Sequence, residues 1–522
     1  MEKYIITMIS GGRVMSDHFH KKMPKYPEPY WRDIDLPTFP KLQKDLEVDV
    51  VIVGGGITGI TTAYRLLEKG LKIAVIDAGV ILNGTTGHTT AKVTAQHGLI
   101  YDELIQHLGE EKTKLYYEAN REALQFVRDV VQKHKIECDF SEQEAYLYST
   151  TDEYKNKLEN EWKAYERLGI DGSIVESIPF NISIKNAVVM KNQAQYHPLK
   201  YLKHLVDHLS KHGVLFFENT TAASIEEGNN PTVITREGNK ISGKYVIAAS
   251  HFPFIDKKGL YFARMYADRS YVVAITTDKE YPGGMYVSAD SPSRSIRYTP
   301  MNGKNLILIS GENHQTGTGK DMMLHYEALE DFAESVFGIK EYLYRWSTQD
   351  LTTLDKIPYI GPITTESRNI LVATGFRKWG MTTSHVASRL LSDYILEREN
   401  PYHEIYSPSR FDVDPSLKKV ISINASVAKH LIKGKLEYVN KDPNDLKNDE
   451  GSVVMVNGQR AGAYRDPLGK LHIVDTTCSH MGCELEWNHG DRTWDCPCHG
   501  SRFSVDGDVI EGPAHHPLKK LE

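Results

Sequence analysis

The sequence has little cysteine: five residues in 522, and four of them fall within residues 478–498. Such a chain is not held together by a disulfide framework, because small disulfide-rich proteins distribute their cysteines along the whole fold. The fifth, Cys138, has apolar and acidic neighbours at positions 136–140, which indicate a strand and a buried thiol. We therefore expect Cys138 to be unreactive rather than a nucleophile.

The sequence also lacks long apolar runs and an excess of either charge. No apolar run approaches the roughly 20 residues that a membrane-spanning helix needs, and the amino terminus has no apolar core followed by a cleavage site of small residues. A net charge of -7 gives no electrostatic reason to expect nucleic acid or an anionic membrane as a partner. We therefore expect a cytoplasmic protein that does not span a membrane, with Met15 and Met23 as alternative start positions.

Two short segments near the end of the sequence each pair a cysteine with a histidine. They are Cys478–His480 and Cys496–His499. Two thiolates and two imidazoles can hold a [2Fe-2S] cluster, with the cysteines on one iron and the histidines on the other. The predicted ligands are Cys478, His480, Cys496 and His499. Because imidazole is neutral, this cluster accepts an electron more readily than one with four thiolates.

The spacing of these ligands resembles that of Rieske proteins, and CSHMGC with CPCHGS resembles the high-potential Rieske proteins of cytochrome bc complexes. The resemblance implies that Cys483 and Cys498 form a disulfide clamping the two ligand loops, which would be unusual in the cytoplasm. It also implies that Ser501 hydrogen-bonds the cluster. Phe503 stands where the high-potential proteins carry a tyrosine, so we expect a somewhat lower reduction potential.

A structural zinc site is the alternative, because two cysteines and two histidines are also a zinc ligand set. Zinc fingers pair cysteine with cysteine and histidine with histidine along the chain, whereas each loop here gives one of each. A surplus cysteine also accompanies each pair. This context favours iron over zinc.

A glycine-rich motif follows the apolar strand at residues 50–53 and opens a helical run, and a second apolar strand at residues 73–76 leads to an aspartate. In such a βαβ unit the first glycine permits a tight turn, the second lets the backbone approach a pyrophosphate, and the third lets helix and strand pack closely. The aspartate lies where a carboxylate binds the ribose hydroxyls of an adenosine. The residues predicted to bind the dinucleotide are Gly54, Gly56, Thr58, Gly59 and Asp77.

Three further segments favour FAD over NAD as the dinucleotide. Residues 84–92 (GTTGHTTAK), 355–362 (DKIPYIGP) and 374–382 (TGFRKWGMT) resemble segments of the D-amino-acid oxidase and sarcosine oxidase superfamily; a threonine-rich turn is the alternative for the first. The resemblance implies that a helix at residues 383–397 directs its amino terminus at the flavin and can stabilise the reduced anion. The further flavin contacts that it implies are Thr85, Thr86, Thr89, Gly375, Gly380, Met381 and Thr382.

These motifs predict an α/β flavoprotein followed by a small all-β domain. The superfamily resemblance implies a Rossmann-like FAD domain interleaved with an antiparallel-sheet substrate domain over residues 46–400. Short alternating strands after a short helix at residues 427–436 indicate a Rieske domain over residues 425–522. Residues 1–45 are expected to form a loose arm packed across a folded domain, and residues 401–424, interrupted by prolines, a linker.

A flavin takes up two electrons together, whereas a [2Fe-2S] cluster carries one. We therefore expect an FAD-dependent oxidoreductase that passes electrons through the cluster to an external acceptor. The superfamily resemblance implies a small-molecule substrate, an amine, amino acid or related metabolite that is often carboxylated. The residues that could bind a carboxylate are Arg269, Arg294, Arg297, Tyr298 and Arg345, with His88 and Lys92 as flavin-proximal groups.

Two other functions stay open. One is an electron-relay protein whose FAD domain has lost catalysis. The other, a Rieske oxygenase, would need a mononuclear iron site of two histidines and a carboxylate in its own domain, and the sequence shows no convincing His-x4-His cluster. No cysteine lies near the flavin segments, so a cysteinyl link to the flavin is not expected, while a histidyl link stays open.

Overall fold

The computed structural model describes residues 23–319, 321–410 and 439–521. A six-stranded sheet carries the glycine-rich motif, and its strands are parallel except for the pair at one edge. Alternate side chains of Val50–Val53 enter two different hydrophobic clusters, one on each face, as expected of a parallel strand covered on both sides. In spatial order the strands are Tyr359–Pro362, Ile370–Thr374, Tyr245–Ala248, Val50–Val53, Ile73–Ile76 and Leu215–Phe217.

A second, nine-stranded sheet forms the substrate domain. Its pairings are antiparallel except for Met285–Ser288 with Ser141–Ser149. Along the main path the strands are Glu341–Thr353, Met265–Thr276, Lys304–Gln315, Arg294–Met301, Met285–Ser288, Ser141–Ser149, Asn186–Gln195 and Lys92–Val93, and Gly172–Val175 pairs with Asn186–Gln195. A small sheet of Leu46–Glu47, Lys240–Ser242, Thr232–Thr235 and Ala222–Glu226 lies apart from both.

Helices connect and cover these sheets. Helix Tyr101–His134 bends at Gly109, whose φ of 81° breaks the helical geometry. The helix predicted at residues 383–397 begins at Gly380 and ends at Ile395, because Glu397 takes a left-handed conformation with φ 53°. Among the described residues, the other helices are Ile57–Leu67, Asp152–Leu168, Pro198–Lys211, Asp256–Gly259, Tyr261–Arg264, Met323–Phe337 and His403–Tyr406, with short 3-10 turns at Tyr30–Arg32, Thr85–His88 and Pro443–Asp445.

The carboxy-terminal region is all β. It consists of a three-stranded sheet and a four-stranded sheet, and the cysteines of the two ligand loops lie in the core of the second. The strands are Glu450–Val456, Gln459–Arg465 and Leu471–Val474 in the first, and Glu486–Asn488, Thr493–Asp495, Arg502–Phe503 and Val509–Glu511 in the second. The described residues thus form the predicted α/β part followed by a small all-β domain.

The described part of the amino-terminal arm packs on the flavoprotein. Trp31 is fully buried, and its indole donates a hydrogen bond to the carbonyl of Thr89. In the predicted linker, residues 401–410 also pack on the flavoprotein, since Ile405 and Tyr406 are buried and Arg410 pairs with Asp355. The helix predicted at residues 427–436 lies outside the described residues.

The strand predicted around Cys138 is wrong. Lys135 and Asp139 both take left-handed backbone conformations, with φ 51° and 52°, so the chain bends between helix Tyr101–His134 and strand Ser141–Ser149. The thiol is nevertheless buried, and burial raises the pKa of Cys138 to about 12, consistent with an unreactive thiol.

Across the described ranges, no helix is both long enough and apolar enough to cross a membrane.

Candidate active site and cluster site

The glycine-rich motif forms a compact cradle between strand Val50–Val53 and helix Ile57–Leu67. Gly54 has φ 116°, and a Cβ there would collide with the carbonyl of Ala249. A Cβ on Gly59 would collide with the carbonyl of Gly54. The backbone therefore packs as closely as the βαβ motif requires, and the cradle fits a dinucleotide pyrophosphate.

Asp77 is fixed at the end of the neighbouring strand. Its Oδ2 accepts a hydrogen bond from the amide of Gly55 at 2.8 Å, and its Oδ1 accepts one from the amide of Gly79 at 2.9 Å. Burial raises the pKa of the carboxyl group despite these bonds. Each oxygen keeps a second lone pair, so the carboxylate could also accept ribose hydroxyls.

The helix that follows the glycine-rich motif and the helix that opens at the segment of residues 374–382 begin side by side. The hydroxyl of Thr58 donates to that of Ser384 at 2.9 Å, and both groups are buried. The hydroxyl of Thr382 bonds the amide and carbonyl of Thr94 at 2.9 and 2.8 Å. Segments more than 300 positions apart in the sequence thus meet at one place.

The other predicted flavin contacts lie around the same helix ends. Thr86 accepts a hydrogen bond from the amide of Ile57 at 3.1 Å, at the start of the first helix. Thr85 and Thr86 belong to the 3-10 turn Thr85–His88, and Thr89 ends it. Gly375 takes φ 76° against Thr353, while Gly380 and the buried Met381 open the second helix.

A row of polar side chains lies on one face of the two adjoining strands Met265–Thr276 and Glu341–Thr353. Asp268 is directly opposite Asp350, and Ser270 is directly opposite Thr348. Two positions further, Trp346 is on the same face and donates from its indole to the carbonyl of His88 at 2.8 Å. The row therefore faces the flavin segment at residues 84–92.

Lys378 joins this row from the other flavin segment. The amide of Arg377 donates to the carbonyl of Leu351 at 2.8 Å, which fixes the loop beside Asp350. Desolvation lowers the pKa of Lys378 to about 8. We refer to the region between this polar row and the segment at residues 84–92 as the flavin-side cavity. Desolvation also raises the pKa of Asp350 to about 7 and that of Asp268 above its usual range. Sequence reasoning missed Asp268, Asp350 and Lys378 as site residues; only Lys378 lay in a recognised segment.

The four arginines considered as carboxylate anchors already have protein partners. Arg269 and Arg345 lie on the opposite face of the same two strands, where Arg269 pairs with Asp491 and Arg345 bonds the carbonyls of Pro24, Lys25 and Gly490. Arg297 donates to the carbonyls of Thr90 and Ala91, and Arg294 pairs with Glu312.

The remaining candidates are also engaged. The phenol of Tyr298 accepts a hydrogen bond from Gln143 at 3.3 Å. The ammonium of Lys92 contacts the hydroxyl of Ser295, and burial lowers the pKa of Lys92 to about 7. The ring of His88 bonds the carbonyl of Gly84 at 2.9 Å.

The two cysteine–histidine segments form one site. The rings of His480 and His499 are 5.1 Å apart, and the Nδ1 atom of each is buried without a hydrogen-bond partner among the described residues. Cys478 and Cys496 are buried in mutual contact. Burial lowers the pKa of both histidines to about 4, so the imidazoles are neutral, as metal ligation requires. Two orphaned imidazole nitrogens beside two thiols fit a [2Fe-2S] cluster.

The surroundings of this site also match the sequence prediction. Cys483 and Cys498 form a disulfide with a Cα–Cα distance of 6.5 Å. Ser501 contacts the thiol of Cys478 and accepts a hydrogen bond from the amide of Ala514 at 3.0 Å. Phe503 is fully buried among the cysteines.

The histidine edge of the site faces the flavoprotein. The ring of Phe262 lies 5.8 Å from that of His480 and 5.3 Å from that of His499. Asp256 lies 3.9 Å from Nε2 of His480. Asp256 and Phe262 of the flavoprotein therefore cover the histidine edge of the site.

The second ligand loop packs directly on the substrate-domain sheet. The side-chain amide of Gln349 donates a hydrogen bond to the carbonyl of Gly500 at 2.9 Å. The side-chain amide of Gln315 donates one to the carbonyl of Pro497 at 3.1 Å. A Cβ on Gly500 would collide with Ala267. The loop thus contacts the same two strands whose other face carries Asp268 and Asp350.

The chain belongs to the family of FAD-dependent oxidoreductases, whose model matches residues 49–394, and residues 437–522 match the Rieske [2Fe-2S] domain. FAD and a [2Fe-2S] cluster are therefore its cofactors. The resemblances to the D-amino-acid oxidase superfamily and to Rieske proteins are confirmed.

Known relatives share one or both parts. The chain is 54% identical over 508 residues to YhfW of Bacillus subtilis, a protein named as a Rieske 2Fe-2S iron-sulfur protein, and the match covers 97% of this chain and 99% of that one. It is 22% identical over 374 residues to the gamma-glutamylputrescine oxidoreductase of Escherichia coli, covering 68% and 85% of the two chains. Glycine oxidase from Geobacillus kaustophilus has the same fold, with a TM-score of 0.60 at 18% identity over 70% of this chain and all of that one. The protein is thus an oxidoreductase of the amine and amino-acid oxidase type with a Rieske domain.

Proposed function

We propose that the FAD domain oxidises a small amine, amino acid or related metabolite, and that the electrons pass singly to the Rieske cluster and then to an external acceptor. FAD, when bound, takes the electron pair from the substrate and releases it as single electrons. The observation that carries the proposal is the shared pair of strands, Met265–Thr276 and Glu341–Thr353. One face of these strands lines the flavin-side cavity, and the other bears the ligand loop of the cluster.

The proposal assigns the cofactors to residues of this chain. Cys478, His480, Cys496 and His499 hold the cluster, since the two thiols are in contact and the two imidazole rings lie 5.1 Å apart with unpartnered Nδ1 atoms. Gly54, Gly56 and Gly59 would hold the adenosine half of FAD, with Thr58 at the helix start and Asp77 binding the ribose. The residues that would hold the flavin half are the remaining predicted contacts: Thr85, Thr86, Thr89, Gly375, Gly380, Met381 and Thr382.

We also infer that the Rieske domain keeps a fixed position on the flavoprotein. In the described structure the ligand loop is bonded to Gln349 and Gln315, and charged groups pair across the contact. One sheet layer, whose packing spacing is about 10 Å, separates the loop from the flavin-side cavity. A fixed docking of this kind favours transfer within one chain over diffusion of a mobile domain.

The test is an anaerobic titration of the whole protein with amines and amino acids. Purified protein should contain about one FAD, two irons and two acid-labile sulfides per chain. A substrate should bleach the flavin and produce the electron paramagnetic resonance signal of the reduced cluster in the same turnover.

The outcomes separate the alternatives. Zinc without labile sulfide would exclude the cluster. Bleached flavin with an oxidised cluster would exclude internal transfer. A flavin that no compound bleaches, with both cofactors present, would favour the relay protein without catalysis of its own.

A further inference from the structure

The polar row in the flavin-side cavity contains two carboxylates, and the positive charge of nearby protein groups does not balance their combined negative charge. Asp268 and Asp350 face each other across adjoining strands, which places their Cβ atoms about 5 Å apart. Both side chains are half-buried, and no hydrogen bond contributes to the pKa of either carboxyl group. Lys378 acts on both carboxylates; Arg269, which is already paired with Asp491, acts on Asp350 alone, and Glu511 adds a further negative charge near Asp350. The group is therefore negatively charged when ionised.

The hydroxyls next to the carboxylates also lack partners. Ser270 is 6% exposed, and neither its Oγ nor the Oγ1 of Thr348 has a hydrogen-bond partner among the described residues. Since side chains two apart on a strand share a face, these hydroxyls lie beside Asp268 and Asp350. A buried hydroxyl without a partner is costly, so it indicates a group that binds there.

The described arginines considered as anchors do not offer a free guanidinium to a substrate carboxylate. Arg269 and Arg345 are on the far face of the sheet, and Arg294 and Arg297 bond protein groups. The charge that the cavity presents instead is the negative charge of the aspartates.

The following inference rests on the proposed function. We propose that Asp268 and Asp350, with Ser270 and Thr348, bind a cationic nitrogen of the substrate. The substrate is therefore a diamine-type compound. Its second nitrogen lies at the bond that is oxidised. There a C–H bond breaks, both of its electrons leave to FAD as hydride, and the nitrogen lone pair forms the C=N bond of an iminium ion.

Two different nitrogens are needed for a chemical reason. The reacting nitrogen must be unprotonated to supply its lone pair. A carboxylate favours the protonated form of an amine that it binds. The nitrogen held by Asp268 and Asp350 is therefore not the one that reacts.

The first measurement is binding to the whole FAD-loaded protein by calorimetry. The probe is 2,5-diamino-2,5-dimethylhexane, whose amino-bearing carbons have no hydrogen and cannot be oxidised. It should bind at least about tenfold more tightly than 2,5-dimethyl-2,5-hexanediol, the neutral diol of the same carbon skeleton, because a hydrogen bond to a charged group is worth that much or more.

Variants test the residues. Asp350→Asn and Asp268→Asn should each weaken diamine binding by about tenfold or more and leave the binding of the neutral diol within about threefold. Asp350→Glu keeps the charge and should restore most of the affinity. The matched control is Asp278→Asn, which alters an exposed carboxylate paired with Lys340 next to the same sheet.

A second arm uses anaerobic flavin bleaching by 1,4-diaminobutane, butylamine and 4-aminobutyrate. The diamine should bleach the flavin at lower concentration than the other two. Equal diamine binding by wild type and both asparagine variants, or preference for the monoamine or amino acid, would overturn the inference.

The two proposals fail separately. If the diamine bleaches the flavin equally in wild type, Asp268→Asn and Asp350→Asn, the diamine site is contradicted and the oxidase function is not. Aspartate-dependent diamine binding without bleaching by any compound contradicts the oxidase function instead. If the asparagine variants lose FAD, the wild-type preference between diamine and monoamine probes decides.

Discussion

The Nη1 atom of Arg269 lies 2.7 Å from Oδ2 of Asp491, and the two side chains are only 1% and 6% exposed. Arg269 belongs to the substrate-domain sheet and Asp491 to the Rieske domain, so this ion pair crosses their contact. Arg502 lies 3.1 Å from the same carboxylate. Charges buried this deeply are stable only when paired, so the contact depends on each partner.

Asp491→Ala should loosen the Rieske domain. Removing one member of a buried ion pair costs up to about 3–5 kcal/mol, because the other charge stays buried without its partner. Substrate should still bleach the flavin, while stopped-flow spectroscopy shows slower reduction of the cluster. The control is Asp508→Asn, an exposed carboxylate in the same domain. Unchanged cluster reduction in Asp491→Ala would mean that electron transfer does not depend on this docking.

Phe503→Tyr should raise the reduction potential of the cluster. Phe503 is buried among the cluster cysteines, and a phenol there can donate a hydrogen bond that stabilises the reduced, more negative cluster. At roughly 0.5–1.5 kcal/mol for a hydrogen bond, the rise is about 20–65 mV for one electron. A redox titration followed by electron paramagnetic resonance measures it, with Phe503→Leu as the control that adds no donor. An equal shift in both variants would point to packing rather than the hydroxyl.

Asp77→Ala should weaken FAD binding by on the order of 10–100-fold, the effect of losing hydrogen bonds to a charged group. The variant loses the ribose acceptor and also the bonds that fix Gly55 and Gly79. Equilibrium dialysis gives the affinity. Dithionite should still reduce the cluster, whereas substrate should not. Asp49→Ala removes a carboxylate next to strand Val50–Val53 that pairs with Lys244, and should keep its FAD. Full FAD retention by Asp77→Ala would contradict the assignment.

Binding of the inert diamine should depend on pH. Burial raises the pKa of Asp350 to about 7, so its negative charge appears as pH rises through 7. Affinity should therefore increase between pH 6 and pH 8, while the diamine itself stays protonated. Calorimetry at three pH values measures the trend. Asp350→Asn should make it shallower and leave only the contribution of Lys378, whose pKa is lowered to about 8 by desolvation. An affinity that falls with pH in the wild type would contradict the charge assignment.

The elements predicted well from the sequence are those encoded locally. Strands Val50–Val53 and Ile73–Ile76 have the predicted limits, because each is a short apolar run between clear turn signals. The converging cysteines and histidines were recognisable because ligand spacing within a loop is a local property.

The sequence does not show which distant residues lie in contact in the fold. Arg269 was considered as a substrate anchor, yet Asp268 faces the flavin-side cavity and Arg269 faces the Rieske domain. In a strand with both faces buried, the residue pattern does not say which face meets which neighbour. The pairing of Asp268 with Asp350 likewise depends on strand register, which is set by the whole sheet.

The carbonyl of Lys25 accepts hydrogen bonds from both Arg345 and Arg492, and Arg492 follows Lys25 by 467 positions. The ribosome therefore makes Lys25 well before Arg492. At about 5–20 residues per second, that wait is roughly 20–90 s. The hydrogen bond between Lys25 and Arg492 can form only after the Rieske domain has been synthesised. This contact between the arm and the Rieske domain therefore forms late in biogenesis.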